Sequence, residues 1–149
     1  MAQSLSKIYI HLIFSTKNRQ PLINAEWQTD LWAYMAGAIA GQKCYANKIG
    51  GVSDHIHILC ELHRTVTLSN LVKEIKSEST KWIKHERSMT TFSWQAGYGA
   101  FSVSASNVVE VIRYIENQAA HHKNLSFQDE FRSFLKKYHV EYDEKYVWD

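Results

Sequence analysis

Cysteine, proline and long apolar runs are all scarce in this chain. The two cysteines, Cys44 and Cys60, form no CxxC pair. That excludes a disulfide framework and fits a protein kept reduced in the cytoplasm. No apolar run is long enough to cross a membrane. The first residues, Met1-Ala2-Gln3-Ser4, lack the basic stretch and apolar segment of a secretory signal. Pro21 is the only proline and marks a loop. No internal repeat and no low-complexity segment is present. Charge of one sign is scarce too. A net charge of +2 does not by itself point to nucleic acid, so the distribution of charge matters more than its sum.

What is present is a globular composition: 149 residues, 45% hydrophobic and 13% aromatic. This suits one domain over residues 1–149, with a core at about 5–123 and a tail at 124–149. Lys7 to Thr16 reads as a buried strand. Asn24 is placed to cap a helix carrying Trp27, Leu31, Tyr34, Met35, Ala38 and Ile39, stopped at Gly41. Two further strands, Lys43 to Val52 and Asp54 to Leu62, form a hairpin. Thr67 caps a second helix with a stripe of Leu68, Leu71, Val72, Ile75, Ser79, Trp82 and Ile83. Thr91 to Ser104 reads as a fourth strand, where Gly97 and Gly99 suggest a bulge or a close backbone approach. A third helix is expected from Ser106 or Asn107 to about Lys123, and a short one from Phe127 to Tyr138. This order gives an α+β, ferredoxin-like antiparallel sheet with two helices on one face. The other face is left for a ligand, a partner or the third helix.

The chemistry concentrates in two places. His55 and His57 flank Ile56 in a strand, so both imidazoles face the same way and can hold a divalent metal. On the third helix, Val108, Val111, Ile112, Ile115 and Ala119 form an apolar stripe. Tyr114, Gln118 and His121 fall on a separate side. Tyr114 is then a candidate nucleophile and Gln118 a third ligand. The combination suggests cleavage of a phosphodiester by tyrosine with metal assistance. Ionising a phenol of pKa about 10 at pH 7 costs about 4 kcal/mol. Metal stabilisation of the phosphate can offset a cost of that size. A covalent phosphotyrosine also conserves the bond energy for strand transfer. A mixed nitrogen and oxygen site suits Mg2+ or Mn2+, with Mn2+ the better match for imidazole.

Other residues are open to two readings. Lys73, Lys76, Lys84 and Arg87 share one helix face, which is either solvated or tracks phosphates. Trp94, Tyr98 and Phe101 stack on bases or pack in the core. His11 is a candidate for nucleic-acid contact. His121 and His122 belong either to the site or to a solvated helix end. His63, His85 and His139 are expected at the surface.

His55-Ile56-His57 is a His-hydrophobe-His motif, followed by Trp94-Gln95-x-Gly97-Tyr98 and by Tyr-Ile-x-x-Gln at 114–118. In this order the motifs resemble those of the single-tyrosine HUH transposases. These are the transposase-A enzymes of the smallest bacterial insertion sequences, with relatives associated with repeated extragenic palindromes. The resemblance spans Lys7 to about Lys123. It implies a dimeric enzyme that cuts single-stranded DNA beside short hairpins, leaving a 5′-phosphotyrosine and a free 3′-OH. It implies His55, His57 and Gln118 as metal ligands and Tyr114 as nucleophile. It favours docking of the tyrosine helix on the partner subunit, with Ser102 to Ser106 as the hinge.

A histidine-triad hydrolase would need a third alternate histidine, where Leu59 stands. A two-histidine phosphoesterase would need a second His-x-Thr/Ser motif, and none is found. Rolling-circle initiators usually carry further domains. A non-catalytic ferredoxin-like nucleic-acid-binding protein, or a domesticated relative acting on palindromic repeats, remains the alternative.

Overall fold

The computed structural model describes residues 2–149. Strand β1 (Tyr9–Ser15) lies at the centre of a four-stranded sheet with β2 (Tyr45–Gly51), β3 (His55–Glu61) and β4 (Gly99–Val103). The spatial order is β2-β3-β1-β4 and every neighbouring pair is antiparallel. This is the ferredoxin-like arrangement expected from the order of elements.

Alternation along the strands sends two sets of side chains to opposite faces. Ile10, Leu12, Phe14, Ile56, Ile58 and Cys60 pack under helices α1 (Gln28–Gly41) and α2 (Leu68–Glu86). α1 contributes Leu31, Met35 and Ile39, one helical turn apart, and α2 contributes Leu71, Val72, Ile75 and Ile83. Truncating such a residue, for example Leu71→Ala, would cost about 2–5 kcal/mol. The Thr67 hydroxyl caps α2 by accepting from the Asn70 amide. Asn24 lies further from α1 than a cap would, and its side chain accepts from Glu26 in a preceding turn.

The second sheet face is covered rather than open. Leu59 and Val103 pack against Ile115 of α3 (Val108–Glu116). Ile13 and Phe101 pack against Phe127, Phe131 and Leu135 of α5 (Phe127–Lys137). The tail is therefore a structural part of the sheet's second layer. Gly50 and Gly99 allow these close approaches. A Cβ at Gly50 would sit 2.8 Å from the Ile115 carbonyl oxygen, and one at Gly99 would sit 2.7 Å from the Phe131 ring. At Gly97 the approaching backbone is that of Asp149, whose oxygen accepts from the Gly97 amide at 2.8 Å.

Two expected elements differ. The strand expected over 91–104 is regular only from Gly99 to Val103. Before it, Phe92 and Trp94 turn into the core, and the Trp94 indole donates to the Ser79 hydroxyl. The Gln95 side chain, rather than a strand backbone, takes the Ser15 amide at 2.8 Å. The third helix does not run unbroken to Lys123. It breaks at Asn117, and a short turn, α4 (Gln118–His121), follows. The break turns Gln118 inward to 1% exposure and leaves Ala119 exposed instead of on the stripe.

Candidate metal and tyrosine site

β3 carries His55 and His57 on the face turned toward α3 and α5, and both side chains are fully buried. Each has its Nδ1 engaged from behind. His55 Nδ1 donates to Asp54 Oδ1 at 2.7 Å. His57 Nδ1 meets His11 Nε2 of β1 at 2.8 Å. The Nε2 atoms then point into one small volume, as metal-binding imidazoles held by a second layer of partners do.

Glu130 of α5 reaches that volume and is 1% exposed. Its Oε1 lies 2.9 Å from His57 Nε2 and 3.3 Å from His55 Nε2. Its Oε2 lies 3.2 Å from His122 Nε2 and accepts a short hydrogen bond from the Tyr114 hydroxyl. Gln118 Oε1 lies 3.1 Å from both His55 Nε2 and His122 Nε2, while its amide donates to the Tyr114 carbonyl. Ligating atoms of His55, His57, His122 and Glu130 all fall within 4.8 Å of one another. A His/Glu cluster of this kind can hold a metal ion. Around it the Tyr114 ring packs on His121, with centroids 4.5 Å apart, and edge-on to His57 at 5.7 Å. A groove of about 430 Å³ between α3 and α5 opens this site to solvent, with Tyr114, Glu130 and Lys137 in its wall.

The electrostatics follow from burial and from Glu130. Burial alone would lower the His55 imidazole, but hydrogen bonds to Asp54 and Glu130 outweigh it and raise it to about 9. Burial holds His57 below its ordinary value despite the same glutamate. The difference lies in Asp54, which only His55 has behind it, and in the neighbouring charges of His55 and His122, which lower His57 further. Burial, with His57 beside it, lowers His11 to about 3, so it is a neutral partner. For Glu130, burial opposes the charge, but hydrogen bonds from His55, His57 and Tyr114 hold the carboxyl well below the usual range. Burial, then the Glu130 carboxylate, push the Tyr114 phenol well above its ordinary value.

The structure thus brings together His55, His57, Gln118 and Tyr114 and adds His122. Glu130 is a residue that motif reading missed. One signal was available: Glu130 sits inside the stripe of Phe127, Phe131, Phe134 and Leu135, where a solvated carboxylate has no place. His11 is buried, contacts His57 from behind and also lines the groove. Trp94 and Phe101 are core residues, not stacking platforms. Tyr98 is exposed, with the Lys76 ammonium 5.6 Å from its ring. Lys76 itself donates to the carbonyls of Gln95, Ala96 and Gly97. Arg87 pairs with Asp30 and lies over Trp27 and Trp82, which removes it from a common phosphate-tracking face. Lys73 and Lys84 are exposed. Within the chain, α3 buries its stripe on its own sheet and places Tyr114 against its own His57.

Comparison with known proteins gives a family and a fold. Residues 4–118 match the family described as "Transposase IS200 like". Among curated proteins none matches the sequence. Several solved structures share the fold, two of them as follows. One is a candidate transposase of Deinococcus radiodurans R1, with TM-score 0.62 and 20% identity over 79% of this chain and 98% of that one. The other is a REP-associated tyrosine transposase bound to a REP hairpin, with TM-score 0.60 and 14% identity over 82% of this chain and 74% of that one. Among the described residues, no helix is long and apolar enough to cross a membrane.

Proposed function

Since the chain belongs to the IS200-like transposase family, we propose that it cuts and rejoins single-stranded DNA beside hairpins through a 5′-phosphotyrosine on Tyr114, assisted by a divalent cation. One observation carries this reading. The Tyr114 hydroxyl and the Nε2 atoms of His55 and His57 all converge on a single carboxylate, that of Glu130. A nucleophile and a set of metal donors therefore lie within the span of one phosphate group. The hairpin-bound relative supports the choice of substrate.

The donor set fits Mg2+ or Mn2+, since it combines imidazole nitrogen with carboxylate and amide oxygen. Such a cation, when bound, would neutralise a non-bridging phosphate oxygen and orient the phosphorus. The chain's own residues do the rest. α3 and the ring of His121 hold the phenol at the end of the groove. The phenolic oxygen forms a bond to phosphorus as the bond to the 3′-oxygen breaks. The phenolic proton has an acceptor already in place in Glu130 Oε2. The 3′-oxygen leaves as a hydroxyl after taking a proton, and reversal of the same step rejoins a strand. A homodimer in which each tyrosine serves its own site is compatible with this scheme.

The test is adduct formation. Wild-type protein mixed with a labelled single strand carrying a hairpin should form a covalent complex on a denaturing gel. Tyr114→Phe should keep hairpin binding and form none. An adduct in that variant, or a wild-type enzyme active in excess EDTA, would overturn the reading.

A further inference from the structure

Resting on the metal-assisted reading, we propose that Glu130, on the helix beyond the family-matched segment, is a direct carboxylate ligand of the divalent cation beside His55 and His57. Gln118 then serves chiefly to orient His55 and His122.

His55 gives its Nδ1 hydrogen to Asp54, and His122 directs its Nδ1 at the Leu125 carbonyl oxygen. A carbonyl or carboxylate oxygen only accepts, so in each neutral ring Nε2 carries the lone pair. Both lone pairs face oxygens, those of Glu130 and Gln118. Atoms that all bear lone pairs repel one another unless a proton or a cation sits among them. Spacing points to the same conclusion. Two ligands about 2.1 Å from an ion and at right angles lie about 3 Å apart. The separations from Glu130 oxygens to His57, His122 and His55 Nε2 are 2.9, 3.2 and 3.3 Å.

Charge separates a ligand from a mere plug. An anion taken out of water costs several kcal/mol unless a positive charge meets it. Glu130 is 1% exposed, and its ion-pair partners among the described residues are the imidazoles of His55, His57 and His122, so without a cation its charge is met only by a proton on one of those rings. A segment that only covered the site would pack there with an apolar side chain, as Phe127 and Phe131 do on either side. The amide of Gln118 brings no charge, so the carboxylate is the better partner for a hard dication.

The experiment measures Mn2+ binding to the full chain by titration calorimetry and by electron paramagnetic resonance, without DNA. Glu130→Ala should weaken Mn2+ by tenfold or more. Glu130→Gln, close to isosteric, should weaken it less, and Gln118→Ala should weaken it less than Glu130→Ala. Binding as tight as wild type, or tighter, in Glu130→Ala would make the helix a plug and overturn the proposal. Should Glu130→Ala fail to fold, Glu130→Gln decides by the same criterion. His57→Ala keeps the two readings apart. If it loses Mn2+ while the Glu130 variants retain it, only the present proposal falls. A wild-type chain that binds no Mn2+ would remove both.

Discussion

At the scale of single residues, the histidine pair is held from behind by unlike groups. Asp54 engages His55, and the neutral ring of His11 engages His57. Each backing residue can fix a tautomer and a ring direction. His11→Ala leaves His57 Nδ1 without its partner in a buried place. The expected result is a loss of roughly 10–100-fold in cleavage rate, with saturation shifted to higher Mn2+. A rate unchanged at limiting Mn2+ would show that His57 needs no such support. The histidine motif was legible because alternation in a strand is a local rule. His11 was legible only as a polar residue in an apolar strand, since its partner lies 46 residues away. Glu130 lies 73 residues from His57, and no spacing rule joins them. Only its misfit on an apolar stripe gave it away.

At the scale of elements, the first three strands and the helices at 28–41, 68–86 and 127–137 followed from period, and the cap at Thr67 was legible while that at Asn24 was not. The elements that differed were decided by side chains acting on backbone. Residues 92–95 carry two buried aromatics and a glutamine that closes the end of β1, so the ladder there is partly made by a side chain. Asn117, with no proline or glycine beside it, ends α3 so that Gln118 can bury its amide among the histidines. The position of α3 depends on Gly50 more than on any polar contact. Gly50→Ala would drive a Cβ into the Ile115 carbonyl and its side chain. The expected cost is about 1–3 kcal/mol, read as a lower urea midpoint. Cleavage should fall further than stability does, because Tyr114 moves with the helix. Equal melting behaviour in the variant would show that α3 adjusts freely.

At the scale of the whole molecule, the tyrosine helix and the histidine pair belong to one chain. Ile115 lies under Leu59 and Val103, and Gly50 receives its backbone. The small segment before α3 is a tight turn, with Ser104 accepting from Asn107 and the Ser104 and Ser106 hydroxyls 3.0 Å apart. Mixing Tyr114→Phe with His57→Ala should therefore restore no cleavage, even where heterodimers are confirmed by mass. Recovered cleavage would mean exchange of the helix between subunits. The hydrogen-bonded cluster beneath the tyrosine has a consequence for the life of the protein between reactions. Its imidazoles, carboxylates and amide already bind one another, and a proton on His55 completes the set at neutral pH. Zinc fingers collapse when stripped of metal, but here folding draws on the sheet and its two layers. Chelation should silence the enzyme and lower its melting temperature only by the binding energy lost, leaving it folded, and added Mn2+ should restore full activity over repeated cycles. Such a protein can idle in ion-poor surroundings, folded and inert, and return to work without refolding.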